Sequence, residues 1–369
     1  MQRAAADHAE QGRASLLFDD PEPQRVRQRP GNTRALRDGQ AISVGAHDIL
    51  HDLHTYFPYH AAPRCGQPDL STGGGICYCF AMRYRTAAVI LAGISVLLPQ
   101  VAAAAPAAPA LKTGYAKYLR ETLTVKSAIV IDAATGEALF EHRADDPRVI
   151  ASLTKLMTAV IALEQKPVWS RAVTLASADE VGGGRLRLNA GARFTWRDAF
   201  ASTMIASTNN TAMLLMRTSG LTPQVFLREM NIRAATLGMK DTVFHDPSGM
   251  DARNVSSARD LARLARYAFA NPNIRRYTTT GKYTFTAYAP TSVAKEVKNT
   301  NRLLVVDPDI YITGGKTGYL EESMYNLAVR ARLNGREVIV VTLGADSRAK
   351  SFDETKSLAH WAFQNYVWQ

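Results

Sequence analysis

The chain has 369 residues, 46% hydrophobic and 8% aromatic, enough for one large core or two ordinary domains. Its formal net charge is +11, but the basic residues are scattered rather than blocked. That speaks against nucleic acid and for an acidic polymer or an anionic membrane surface as partner. The three cysteines, Cys65, Cys77 and Cys79, fall in the first quarter, so neither a disulfide framework nor a cysteine metal site is expected beyond them.

Residues 1–81 are rich in Arg, Asp, Gln and Pro with no sustained apolar period, a composition expected to stay disordered. Met82 opens a different text, "MRYRTAAVILAGISVLLPQVAAAAP". Arg83 and Arg85 make a positive start, Ala87 to Leu98 an apolar run, and Val101 to Ala105 a small-residue stretch. This is the layout of a secretory signal peptide, assigned to 82–104 with cleavage near Ala103 or Ala104. The run is too short for a comfortable membrane span. A signal peptide belongs at an N-terminus, so translation is expected to start at Met82, with a genuine long leader as the alternative.

Residues 105–124 read as an Ala/Pro linker or arm, and 125–369 as one domain. "SAIVIDAATGEALFEH" predicts a hairpin of strands Ser127–Asp132 and Ala138–His142. A helix is expected from about Ser152. "GGGRLRLNAGARFT" is turn-rich, and Arg197 to about Leu237 is helical in pieces, with Thr222-Pro223 as a start and Gly238 as a stop. "TVFHDPSGM" reads as strand then turn. "SSARDLARLARYAFA" is a capped helix with Leu261, Leu264, Ala265 and Ala268 on one face. "DIYITGGKTGYL", "YNLAVRARLNG" and "REVIVVTLGA" predict three strands, the last two joined at Asn334-Gly335, and a helix closes the chain. Strands at both ends, helices between and no βαβ rhythm give an α/β (α+β) fold. Its antiparallel sheet is flanked by helices and carries a helical insert.

Three short motifs carry candidate chemistry. In "RVIASLTKLMTAVIAL" the only charged residue after Arg148 is Lys155, three residues beyond Ser152. On a helix the two share a face, and a desolvated lysine loses its proton more readily and can serve as base to a serine. A lysine snorkelling to solvent is the plainer alternative. Ser-x-x-Lys arises by chance about once or twice in a chain this long. It recurs at Ser292/Lys295 and Ser347/Lys350, in polar settings. Ser207-Thr208-Asn209 lies between two helical segments and either points into a cleft or caps a helix. Lys316-Thr317-Gly318 follows a strand and two glycines, where another backbone can approach and a lysine and hydroxyl can grip a carboxylate. A second Lys112-Thr113-Gly114 lies in the linker and is taken as chance.

In this order, Ser-x-x-Lys, Ser-x-Asn and Lys-Thr-Gly resemble the penicillin-binding proteins and serine β-lactamases. "VIASLTKLMTA", "SLGMKDTVFHDPSGMD", "SSARDLARLARYA" and "KNTNRLL" resemble the low-molecular-mass D-alanyl-D-alanine peptidases of family S11, over roughly Ser127 to the C-terminus. The resemblance implies the β-lactamase/D,D-peptidase-like fold, a periplasmic location, peptidoglycan stem peptides as substrate and β-lactams as inhibitors. It implies Ser152 as nucleophile, Lys155 as its base, Ser207 as proton relay, and Asn209 on the substrate amide. Lys316 would supply positive potential and Thr317 would bind the carboxylate. The strand at Gly318 and Tyr319 would hold the peptide, with the N–H groups of Ser152 and Tyr319 as oxyanion hole. No metal or organic cofactor is implied, and no membrane anchor beyond the signal segment.

Three departures refine this. The second motif reads Ser-Thr-Asn-Asn, with Asn210 where the family often has Asp. The chain closes at Gln369, soon after its last helix, which resembles the short D,D-endopeptidase branch rather than the longer carboxypeptidases. No Glu-x-x-Leu-Asn follows Ser207, so a β-lactamase, the enzyme alternative, is disfavoured. A catalytically inactive peptidoglycan-binding module is the non-enzyme alternative. His142 and His245 are not expected to act, because Lys155 fills the base position.

Overall fold

The computed structural model describes residues 106–117, 122–306 and 310–368. The expectations for residues 1–81 and for the signal segment 82–104 lie outside the described residues. In chain order the main strands are β1 (Ser127–Asp132), β2 (Ala138–His142), β3 (Lys282–Ala287), β4 (Val293–Lys298), β5 (Tyr311–Leu320), β6 (Met324–Leu333) and β7 (Arg336–Ala345). The main helices are α1 (Lys155–Glu164), α2 (Trp196–Ile205), α3 (Asn209–Arg217), α4 (Pro223–Thr236), α5 (Ala258–Ala270), α6 (Pro272–Thr278) and α7 (Arg348–Asn365).

The central sheet has the order β5-β6-β7-β1-β2, antiparallel throughout, so the first strands rejoin the last ones as expected. Its strands are apolar on both faces. In β1, Ile129 and Ile131 enter one apolar cluster while Ala128 and Val130 enter another; in β7, Ile339, Val341 and Leu343 alternate in the same way with Val338 and Val340. A sheet covered on both faces reads like this, because successive side chains point to opposite sides. Phe352, Leu358, Ala359 and Ala362 of α7 cover the second cluster. Helices α1 and α5 cover the first, and Leu261, Leu264, Ala265 and Ala268 are all buried there. The β6–β7 turn has positive φ at both Asn334 (49°) and Gly335 (76°), the backbone that an Asn-Gly hairpin supplies at low cost.

Part of the linker or arm expected over 105–124 forms a strand. Ala110–Leu111 forms an antiparallel ladder with Tyr366–Val367, and Lys112 N–H donates to the Asn365 carbonyl. Two elements had no reading from sequence: the β3–β4 hairpin and the short α6. The "TVFHDPSGM" segment is mostly turn, with a single bridge from Val243 to Val255 where a strand was expected.

For the site, the decisive feature is that β5 is an edge strand of the sheet. Its unpaired side faces the turn that starts α1 and the α2–α3 junction, so three separate pieces of chain meet along one strand.

Candidate active site

Ser152 sits in a single 3-10 turn, Ala151–Thr154, that runs directly into α1. The sequence reading had placed it in the first α-helical turn; the tighter turn follows from Ala151, whose φ of +47° is rare outside glycine. Packing holds that conformation. Gly249, itself at φ +82°, lies so close that a Cβ there would stand 2.1 Å from the Ala151 carbonyl oxygen. Ile150 N–H donates to the Asn254 carbonyl at 3.1 Å, and Asn326 Nδ2 donates to the Val149 carbonyl at 3.1 Å. The nucleophile turn is thus clamped from two sides by elements far away in sequence.

Lys155 does not snorkel; its side chain is fully buried. Its Nζ donates to Ser152 Oγ at 2.8 Å, to Asn209 Oδ1 at 2.6 Å and to the Ser248 carbonyl at 2.5 Å. Burial pushes its pKa down from 10.5 to about 7, opposed by the negative charge of Asp246. An amine that titrates near 7 has a lone pair available to take the hydroxyl proton of Ser152. The Ser248 carbonyl is held by Asp246, whose carboxylate accepts from the N–H groups of Ser248 (2.9 Å), Gly249 (3.0 Å) and Asp251 (3.3 Å).

Ser207 occupies the α2–α3 junction at φ +59°. It does not cap α3; Thr208 holds the cap position. The Ser207 hydroxyl instead accepts from Lys316 Nζ at 2.6 Å. Asn209, the first residue of α3, accepts from Lys155 and donates from Nδ2 to the Gly182 carbonyl at 2.9 Å. Asn210 turns away from the site. It donates to Glu180 Oε1 (2.7 Å) and the Leu186 carbonyl (3.1 Å) and accepts from Leu186 N–H (2.9 Å), tying the segment 180–186 to α3.

On β5, Lys316 is also buried, and its Nζ reaches the Thr317 carbonyl at 2.8 Å besides Ser207. Burial, and then the charge of Lys155, hold its pKa well below 10.5. Thr317 Oγ1 and Thr300 Oγ1 are 2.6 Å apart. The three strand glycines differ in what they admit. Only Gly318 faces backbone, where a Cβ would lie 2.9 Å from the Ile150 carbonyl oxygen and 3.3 Å from Ser152 N. Gly314 faces the Phe269 ring and Gly315 the Asn301 side chain, so at those two positions the expectation of a close backbone is corrected to a close side chain. Tyr319 is exposed and packs on Tyr325 at 4.5 Å between ring centroids.

Ser152, Ser207, Asn209, Thr317, Gly318 and Tyr319 line one cleft of about 550 Å³, with Lys155 and Lys316 buried behind its wall. All eight residues singled out from sequence therefore converge. The decoys do not. Ser347 caps α7 through Lys350 N–H, and Lys112 bonds to the end of that helix. Sequence reasoning missed Asp246, the Ser248 carbonyl, Asn254, Thr300 and Arg348, the last a further residue of the cleft. "DPSGM" and "NTN" were visible as strings, but no local rule marks a backbone carbonyl as a lysine acceptor. Among the described residues no cluster of His, Cys, Asp and Glu is arranged to hold a metal.

Residues 112–347 match the family model of peptidase S11, the D-alanyl-D-alanine carboxypeptidases. The chain belongs to this family. It is 31% identical over 283 residues to a D-alanyl-D-alanine endopeptidase of Pseudomonas aeruginosa, spanning 76% of this chain and 89% of that one. It is 33% identical over 237 residues to a D-alanyl-D-alanine endopeptidase of Haemophilus influenzae, spanning 63% and 80%. Among solved structures, penicillin-binding protein D2 of Listeria monocytogenes in its cefotaxime-bound form superposes with a TM-score of 0.59 at 30% identity, over 67% of this chain and all of that one. The fold of this peptidase is accordingly that of the penicillin-binding D,D-peptidases, and its activity is of the D-alanyl-D-alanine peptidase class.

Proposed function

We propose that this S11 peptidase is exported and hydrolyses D-alanyl bonds of peptidoglycan through an acyl-enzyme on Ser152, cutting crosslinks in preference to releasing terminal D-alanine. The observation that carries the mechanism is the fully buried Lys155 Nζ, 2.8 Å from Ser152 Oγ, with a pKa near 7. Neutral Lys155 takes the Ser152 proton as Oγ attacks the D-alanyl carbonyl. The tetrahedral oxyanion sits between the N–H groups of Ser152 and Tyr319; two preorganised donors of this kind are worth roughly several kcal/mol. Ser207 Oγ, held by Lys316, passes a proton to the leaving amine. Thr317 holds the carboxylate beside the scissile bond, while Asn209 fixes both Lys155 and the substrate amide. Water then hydrolyses the ester.

The endopeptidase preference is supported by the P. aeruginosa and H. influenzae relatives, both endopeptidases that this chain matches over most of their length. β-Lactams would acylate Ser152 as substrate mimics, and the missing Glu-x-x-Leu-Asn argues for slow release. Export is supported by the signal-like segment at 82–104 and by the extracellular location of the substrate. Among the described residues no helix is long and apolar enough to cross a membrane.

Incubation with a labelled penicillin tests the reading. A persistent adduct that is lost in Ser152→Ala is the expected result. Rapid turnover would make the protein a β-lactamase, and no adduct would leave an inert binding module. Crosslinked dimers and pentapeptides as competing substrates then measure the preference.

A further inference from the structure

Behind the Ser207 wall the active-site cleft opens into a second groove of about 1040 Å³. The two share Gly183, Gly184 and Ala206. One side of the groove is the segment 182–187, the other is residues 295–298 of β4. Arg185, Arg187, Lys295 and Lys298 are among its lining residues, together with one carboxylate, Glu296. That carboxylate is already occupied by Lys282 at 2.5 Å and Lys298 at 3.6 Å. Arg185 reaches Glu180 only at 3.9 Å. The side chains of Arg187 and Lys295 make no ion pair or hydrogen bond with another described residue. The mechanism above uses none of these cations.

The position of the groove says which end of a substrate it would meet. Thr300 follows β4 and joins Thr317, the proposed carboxylate site, and Ala206 and Thr208 flank Ser207, the proposed donor to the leaving amine. Whatever is attached to that amine leaves between the glycine-rich segment and β4. A single D-alanine ends inside the first cleft. A leaving group that is itself a peptide advances about 3.3 Å per residue and enters the basic groove.

We infer that this groove receives the amine-side stem peptide of a crosslink and binds its free carboxylates through Arg187 and Lys295. The inference rests on the crosslink-cutting reading and supplies its physical basis: the groove rewards a long, acidic leaving group and is indifferent to a short one. Arg187 is exposed and Lys295 half-buried, and such cations add modest affinity each and are sensitive to salt.

The test uses the mature protein carrying Arg187→Gln and Lys295→Gln together, with Arg187→Lys as the charge-retaining control. For crosslinked dimers the double variant should raise KM about three- to tenfold with kcat unchanged. D-Alanine release from pentapeptide and acylation by penicillin should keep their wild-type rates. Dimers amidated at the amine-side stem's carboxylates other than the one beside the scissile bond should raise KM for the wild type to the level of the double variant. An unchanged dimer KM, or an equal loss on dimer, pentapeptide and penicillin, overturns the inference. Binding of intact dimer to Ser152→Ala separates the two levels of argument. A wild-type enzyme that cleaves no dimer sinks the crosslink reading. Dimer affinity that is equal with and without the double substitution in the Ser152→Ala background sinks the groove.

Discussion

Lys316 donates from a buried Nζ to Ser207 Oγ at 2.6 Å, and among the described residues no carboxylate pairs with that ammonium. The cleft thus has two buried lysines, and the charge of Lys155 further disfavours the charge of Lys316. The family role of this lysine is a source of positive potential. In the free enzyme burial opposes that charge, lowering the pKa of Lys316 well below 10.5. A substrate carboxylate at Thr317 would restore it, since an opposite charge nearby favours the protonated amine. Binding should therefore take up a proton. Calorimetry of Ser152→Ala with a D-alanyl-D-alanine peptide at pH 9, in two buffers of different ionisation heat, should show uptake of up to about one proton. Lys316→Met should abolish it. Zero uptake by Ser152→Ala itself would contradict the linkage.

The pH dependence of acylation follows from Lys155. The base must be neutral, so the rate should be level above its pKa of about 7 and fall about tenfold per pH unit below it. Asp246 raises that pKa, so Asp246→Asn should move the falling limb to lower pH. Stability runs in the same direction. The folded pKa lies below the unfolded 10.5, so between about 7 and 10.5 the unfolded chain holds the extra proton. The contribution of this group to stability thus rises with pH across that window, by at most roughly 4–5 kcal/mol, and is flat below it. Lys155→Met should reduce the pH slope of urea unfolding and abolish acylation. A slope identical to wild type would show that the amine is solvated.

Three glycines should separate fold from catalysis. Gly249→Ala faces both a φ of +82° and a backbone oxygen at 2.1 Å, so it should destabilise by more than about 2 kcal/mol and remove acylation with it. Gly220→Ala, at φ +93° with nothing within 4 Å, isolates the backbone strain and should cost only about 1 kcal/mol. Gly318→Ala meets backbone alone, the Ile150 oxygen at 2.9 Å and the Ser152 and Leu153 nitrogens at 3.3 Å, so the edge strand and the nucleophile turn must move apart. Its stability should fall by about 1–2 kcal/mol, less than for Gly249→Ala, while acylation drops roughly 10- to 100-fold, the cost of a misplaced oxyanion donor. Chemical denaturation beside penicillin kinetics distinguishes the three.

Much of this site was legible because chemistry there is carried by side chains in order along the chain. Ser152, Lys155, Ser207 and Lys316 each sit in a short segment whose period or turn signal places it. The strands β1 and β2 match their expected limits because hydrophobic alternation and the Ala-Thr-Gly turn leave little freedom. What stayed hidden depends on contacts with no local signature. The Ser248 carbonyl can be found only by asking what the third proton of a buried ammonium meets. Ala151 at positive φ cannot be read at all, since its conformation comes from Gly249 nearly a hundred residues later. The β3–β4 hairpin is a different case: Tyr283, Phe285, Ala287 and Val297 pack on the first apolar cluster, and the alternation in "KYTFTA" was legible although no strand was expected there.

Asn210 marks the clearest departure from the family pattern, and its surroundings explain it. Its amide donates to Glu180 Oε1 at 2.7 Å and to the Leu186 carbonyl at 3.1 Å, while its carbonyl accepts from Leu186 N–H at 2.9 Å. An aspartate can accept but cannot donate, and it would set a second carboxylate against Glu180 in a part-buried setting. Asn210→Asp should therefore destabilise at neutral pH by about 1–3 kcal/mol, the usual cost of an unmet buried partner. It should also loosen the segment 182–184 that holds Asn209 and lines both grooves, so crosslink cleavage should suffer more than penicillin acylation. Adding Glu180→Gln supplies a donor and removes one charge, and should recover most of the loss. Urea denaturation of both single variants and the double closes the cycle. Additive effects, with no recovery in the double variant, would mean that Asn210 and Glu180 are not energetically coupled.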